Sequence, residues 1–155
     1  MPQLPTTILL HTGDPEQPEH YDWLLAFPPE HTFSPLLPTP YSPTTAAAAT
    51  IPRLLTFQTH VHPIDWPNLQ TSLLLRRIFD HREKYLDYAG PISRNRGHVT
   101  PVAAGHHTPE TFTPELITTC LQLKLLHTPS PDITIQAAII PTATPYHFSA
   151  TFTPC

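Results

Sequence analysis

The chain is poor in charge. Only 13% of its 155 residues are Asp, Glu, Lys or Arg, and the formal net charge is −4. A polybasic nucleic-acid binder is excluded, so any attraction to phosphates must be local. Cysteine is scarce too. Cys120 and Cys155 do not make a disulfide framework, and so few cysteines fit a reduced, cytoplasmic location. No apolar run approaches eighteen residues, which argues against a membrane-spanning helix. Met1 to Leu10 has no basic leading segment and is not expected to be a signal peptide. Against these absences stand 22 prolines and 11 histidines. A 39% hydrophobic content is enough for a core, and the length suits one domain, here taken as residues 1–155.

Proline punctuates the chain too often for long helices. Short apolar runs at Thr6–His11, Tyr21–Phe27, Arg53–Thr59, Ile117–Leu126, Ile133–Ile140 and Tyr146–Phe152 read as strands. In the second run Tyr21, Trp23, Leu25 and Phe27 share one face, with His20, Asp22, Leu24 and Ala26 on the other. Several short strands joined by turns predict a mostly β fold, a small antiparallel β-barrel with one or two short helices. Asn68–Phe79 is the one helix candidate, although Leu73-Leu74-Leu75 reads equally as a buried strand. The Pro-, Ser- and Thr-rich stretch at about 27–49 is expected to be a long surface insertion, mobile or partly extended.

Two segments carry chemistry. If the first two runs pair as a hairpin with Thr12–Glu19 as its loop, His11 and His20 come near one another. Residues two apart on a strand point the same way, so His20 and Asp22 share a face. Two imidazoles and a carboxylate suit a divalent metal with open positions. The plainer alternative is a chance meeting in a histidine-rich chain. His60-Val61-His62 is a rival pair at the same spacing, and His106-His107 is expected to be solvated in a loop.

The second segment is basic. Six of the 8 Lys and Arg residues fall between 76 and 96; with Asp80, Glu83 and Asp87 subtracted, that segment stands at +3 and the rest of the chain at −7. His81 and Tyr85, four apart, would meet on one helical turn, and beside Arg76, Arg77 and Arg82 they could hold a phosphate oxygen or supply a proton. An exposed charged turn is the alternative.

Read together, the order His11…His20-Tyr21-Asp22-Trp23, then Asp80-His81-x-x-x-Tyr85-x-Asp87-Tyr88-x-Gly90-Pro91-Ile92, then Gly97-His98-Val99-Thr100 leading to Ala104-Gly105, resembles the 3′-phosphoesterase domain of bacterial DNA ligase D. The resemblance is closer to that domain's short stand-alone relatives. It implies a small β-barrel that removes 3′-phosphates or 3′-terminal ribonucleotides from DNA ends in end repair. It implies a divalent metal, Mn²⁺ or alternatively Zn²⁺, on His11, His20 and Asp22. His81 and Tyr85 would act at the phosphate, and a nucleic-acid 3′ end and DNA-repair proteins would be the partners. The chain departs from the pattern at three motif positions and in a longer loop between His11 and His20. Leu24 stands where the ligase domains carry arginine, Ala89 where an acidic residue usually precedes the glycine, and Val102-Ala103 where a Trp-Asp pair is common. A fixed guanidinium can grip a phosphate through two oxygens. Its loss at Leu24 favours a second reading, a metal- or nucleic-acid-binding module on the same barrel.

Overall fold

The computed structural model describes residues 2–37 and 54–155. Nine strands form one antiparallel sheet: β1 (Leu4–Thr12), β2 (His20–Ala26), β3 (Leu54–Thr59), β4 (Leu73–His81), β5 (Gly90–Pro91), β6 (His98–Thr113), β7 (Leu116–Leu125), β8 (Ile133–Pro141) and β9 (His147–Pro154). Their order is β1-β2-β3-β4-β9-β8-β7-β6-β5, and β6 also pairs with β1, which closes the ring. The expected barrel is the observed fold. Closure gives nearly every strand two hydrogen-bonded neighbours and leaves no long open edge. Two short 3₁₀ turns, Pro63–Asn68 and Glu83–Leu86, are the only helical segments among the described residues. No helix among them is long and apolar enough to cross a membrane.

Period-2 alternation builds the interior. Trp23 and Leu25 of β2, Leu55 and Phe57 of β3, and Leu73 and Leu75 of β4 all point into the ring. Tyr21 and Phe27 pack partly buried at its margin. The opposite face of the first strands is covered as well. Leu9, Leu24, Leu54 and Val99 form a second, smaller core beneath Tyr85, Leu86, Tyr88 and Ile92. Thr7 Oγ1 donates to the Leu86 carbonyl at 2.7 Å and pins that cover to β1.

Several sequence expectations need correction. Residues 73–79 lie in strand β4 rather than a helix; Asn68 only closes the first 3₁₀ turn. The pairing of Leu73–Arg76 with β9 commits these backbone groups to the sheet and leaves none for helical hydrogen bonding. The start of the expected insertion lies at the surface and is tied to the barrel at two points. Phe33 is buried in the core and Leu36 exchanges backbone and side-chain hydrogen bonds with Asp80. The rest of that insertion, and Arg53, lie outside the described residues.

His106 and His107 are in β6, not a loop, and His107 is fully buried. The Gly105 beside them is a packing requirement rather than a turn signal, since a Cβ there would meet the Gln122 carbonyl oxygen at 1.8 Å. The two cysteines form a disulfide, with Cα atoms 6.1 Å apart. Cys120 on β7 pairs with Gln136 on β8, which pairs with Thr153 on β9, so the chain end returns to Cys120 across one strand. Disulfides persist in oxidising surroundings, so the pair removes the support that a low cysteine count lent to a reduced, cytoplasmic location.

Candidate metal centre and phosphate cleft

Paired residues on antiparallel strands point to the same side. On the outer face of the ring, His11 pairs with His20, and Leu9 pairs with Asp22. Asp22 pairs with Gln58, Gln58 with Arg76, and Arg76 with His147. One cross-strand row therefore runs from the β1–β2 hairpin to the start of β9.

The hairpin brings the three expected ligands together. His11 Nδ1 lies 3.3 Å from Asp22 Oδ2, and His20 Nε2 lies 3.2 Å from Asp22 Oδ1. One ligand atom from each falls within 4.8 Å of the others. His11 Nε2 donates to the Arg96 carbonyl at 2.6 Å, and His20 Nδ1 donates to the Pro18 carbonyl at 2.9 Å. A carbonyl can only accept, so these bonds fix each tautomer. In the neutral state each ring then turns a bare lone pair toward the carboxylate. Asp22 Oδ1 is buried without a hydrogen-bond partner. Lone pairs facing carboxylate oxygens repel unless a proton or a cation lies between them. Backbone carbonyls that orient ligating imidazoles are the usual support of a metal site, and the set fits a divalent ion.

The electrostatics agree. Burial pushes the Asp22 carboxyl up, but the His11 and His20 rings, which can donate to it once protonated, outweigh burial and hold the group at about 2. The Asp22 hydrogen bond raises His11, against the opposing effect of burial.

His81 reaches the same face through an irregularity. Thr56 pairs with Ile78 but Leu54 pairs with His81, so two residues of β3 span three of β4. His81 lies an odd number of residues from Arg76 and Ile78, so without that bulge it would point the other way. His81 Nδ1 donates to the Phe79 carbonyl at 3.0 Å, and its ring stacks on Phe79 at 5.0 Å. Tyr85, in the second 3₁₀ turn, meets His81 edge-on at 5.4 Å. The two rings do meet, at a strand end and the turn that follows it rather than on one helical turn. Burial lowers the His81 pKa, although the Asp22 charge pulls it up.

Both motifs line one cleft of about 810 Å³. Five arginines, at 76, 77, 82, 94 and 96, face three aspartates there, so the cleft is cationic on a chain of net charge −4. The arginines differ in freedom. Arg77 is held by Asp80 at 3.0 Å, by the Ser34 carbonyl and over the Phe33 ring. Arg76 donates twice to Gln58 Oε1, and Gln58 Nε2 donates to Gln17 at 2.7 Å. Arg82 is exposed and leans over the Tyr85 ring. Arg94 and Arg96 arrive on a tight turn with positive φ at Arg94 and Asn95. Gly97 has φ +94, and a Cβ there would lie 2.1 Å from the Thr12 carbonyl, so only glycine lets the turn rest against β1. Leu24 is fully buried beneath Tyr85 and offers no guanidinium.

Sequence reasoning missed Gln58 and the carbonyls of Pro18 and Arg96. A polar residue inside the buried strand Leu54–Thr59 was the one available signal for Gln58. The rival His60 and His62 do not act as a pair. His60 faces the His20 ring at 6.4 Å, while His62 faces Tyr21 and caps the first 3₁₀ turn. Compared with known proteins, the chain matches no family model and no curated protein.

Proposed function

We propose that this chain is a metal-dependent phosphoesterase acting at the 3′ ends of nucleic acid, removing a 3′-phosphate or a 3′-terminal ribonucleotide as in DNA end repair. The observation that carries the reading is the convergence of His11, His20 and Asp22 with His81 and Tyr85 in one arginine-lined cleft. The resemblance to the ligase D 3′-phosphoesterase domain rests on those same residues.

His11, His20 and Asp22 would hold the ion, Mn²⁺ or alternatively Zn²⁺, which would activate water and polarise a phosphoryl oxygen. The remaining work falls to the chain. Arg76, set in place by Gln58, and the exposed Arg82 hold the phosphate by charge-assisted hydrogen bonds. His81, with Nδ1 spent on a carbonyl, presents Nε2 to stabilise developing charge or to pass a proton. Tyr85 packs against the His81 ring and sets its angle.

The test is phosphate release from a 3′-phosphorylated DNA primer with and without Mn²⁺. Release that needs the metal and disappears in His20→Ala supports the reading; no release under either condition overturns it. A second reading, a non-catalytic binding module, is favoured by the burial of Leu24 and by the commitment of Arg77 to Asp80. It predicts nucleic-acid binding without turnover.

A further inference from the structure

The cross-strand row that starts at the metal-candidate cluster ends at His147, and the residue before His147 is an aromatic that the proposed chemistry does not use. Tyr146 lines the rim of the cleft next to His147, the residue paired with Arg76. Its side chain is 58% exposed. Tyr146 also sits at φ 64, in the left-handed region. The hairpin between β8 and β9 demands that conformation. Thr142 N donates to the His147 carbonyl at 2.9 Å and His147 N to the Thr144 carbonyl at 3.1 Å, and the loop closes around Tyr146. Its own carbonyl accepts from Arg77 N at 2.7 Å, which fixes the residue against β4. Glycine or asparagine fills such a position at little cost; a bulky aromatic does so against its preference. An observed backbone outlier at a cleft is a pointer to use.

Its surroundings say what that use is. The cleft beside it is cationic, and the neighbouring row carries two exposed apolar side chains, Leu74 and Ile140, both paired with Ser149. An exposed π-face at the rim of an arginine-lined groove, with an apolar strip on the far side of the Arg76–His147 row, is an arrangement that suits single-stranded nucleic acid, with arginines on the backbone and an aromatic ring under a base. Three strand spacings of about 4.8 Å separate Asp22 from His147 along the row, roughly 14 Å. A strand anchored by its terminal phosphate at the cluster can therefore lay a base over Tyr146.

We propose that Tyr146 is a stacking platform for a base of a single-stranded 3′ end, a subsite distinct from the metal cluster. The inference rests on the phosphoesterase reading only for the anchoring of the strand's end. Because every base has a π-face, the platform recognises a nucleobase without selecting its sequence.

The experiment compares equilibrium binding of a 3′-phosphorylated hexanucleotide with that of the same phosphodiester strand lacking its bases, with and without Mn²⁺. Phosphate release is measured separately. The wild type should prefer the base-bearing strand. Tyr146→Asn, which suits the left-handed position and should fold as well or better, should weaken hexanucleotide binding roughly 10-fold and leave the abasic strand unchanged. Tyr146→Phe should keep the preference. Equal affinity of the wild type for the two strands, or an unchanged hexanucleotide affinity in Tyr146→Asn, overturns the platform even if phosphate release proceeds. A Tyr146-dependent preference without phosphate release supports the platform and overturns the phosphoesterase reading. No binding of either strand overturns both.

Discussion

Nδ1 of His11 lies 3.3 Å from Oδ2 of Asp22, while the other nitrogen of the same ring is tied to the carbonyl of Arg96. One imidazole thus joins the proposed metal site to the turn that carries Arg94 and Arg96 into the cleft. An ion held at Nδ1 would therefore bind a ring whose orientation is set by that turn.

Metal affinity should fall as pH falls. Asp22 raises the His11 pKa, so below that raised pKa a proton on the ring nitrogen facing Asp22 occupies the position an ion would take. Each displaced proton makes affinity decline by up to about tenfold per pH unit below that raised pKa. Calorimetric titration with Mn²⁺ at several pH values checks this. A flat profile would remove His11 from the ligand set.

His81 and His20 should separate by role. His81→Ala should cut turnover by about 10²- to 10³-fold, the scale of losing one charge-stabilising donor, and leave metal affinity nearly unchanged. His20→Ala should lose both. Metal affinity and turnover measured on the two variants decide the assignment, and equal metal loss in both would make His81 a ligand.

Acid should destabilise the fold through His107. Its Nε2 donates to the Ala26 carbonyl at 2.9 Å and its Nδ1 meets Thr119 Oγ1 at 3.0 Å. Burial lowers its pKa to about 4. The unfolded chain, with a histidine pKa of about 6.5, binds a proton that the folded chain refuses. Stability from this group is complete above about pH 6.5 and is lost as pH falls toward 4, to an extent of about 3 kcal/mol. Urea unfolding at pH 7 and pH 5 should show the loss. His107→Leu should be less stable at pH 7 but show a shallower decline.

Breaking the link between β7 and the chain end should cost stability, not chemistry. The disulfide closes a separation of 35 residues. Cys155→Ser, or reduction of the wild type, should lower unfolding free energy by about 2–4 kcal/mol. Turnover at low temperature should persist, because neither cysteine lines the cleft. Unfolding curves with and without reductant provide the check; reductant should not affect the variant.

Some of this was readable in the chain itself. Strand periodicity is local, so the alternation of Tyr21–Phe27 was enough to put Trp23 and Leu25 inside and His20 and Asp22 together on the other face. A hairpin is local as well, and it was enough to bring His11 to His20. Other features depend on pairings between segments far apart. Whether His81 faces Asp22 turns on a single extra residue in β4, and a one-residue slip moves a side chain to the opposite face of a sheet. The disulfide needed β8 to lie between β7 and β9, and the burial of His107 needed β6 to pass beneath Ala26. Tyr146 meets the cleft only because β9 pairs with β4. The sequence by itself determined which residues share a face of one strand, because the two-residue repeat is set by covalent geometry. Only the tertiary structure decided which strands lie side by side and where a bulge shifts their register, because those depend on the packing of the whole ring.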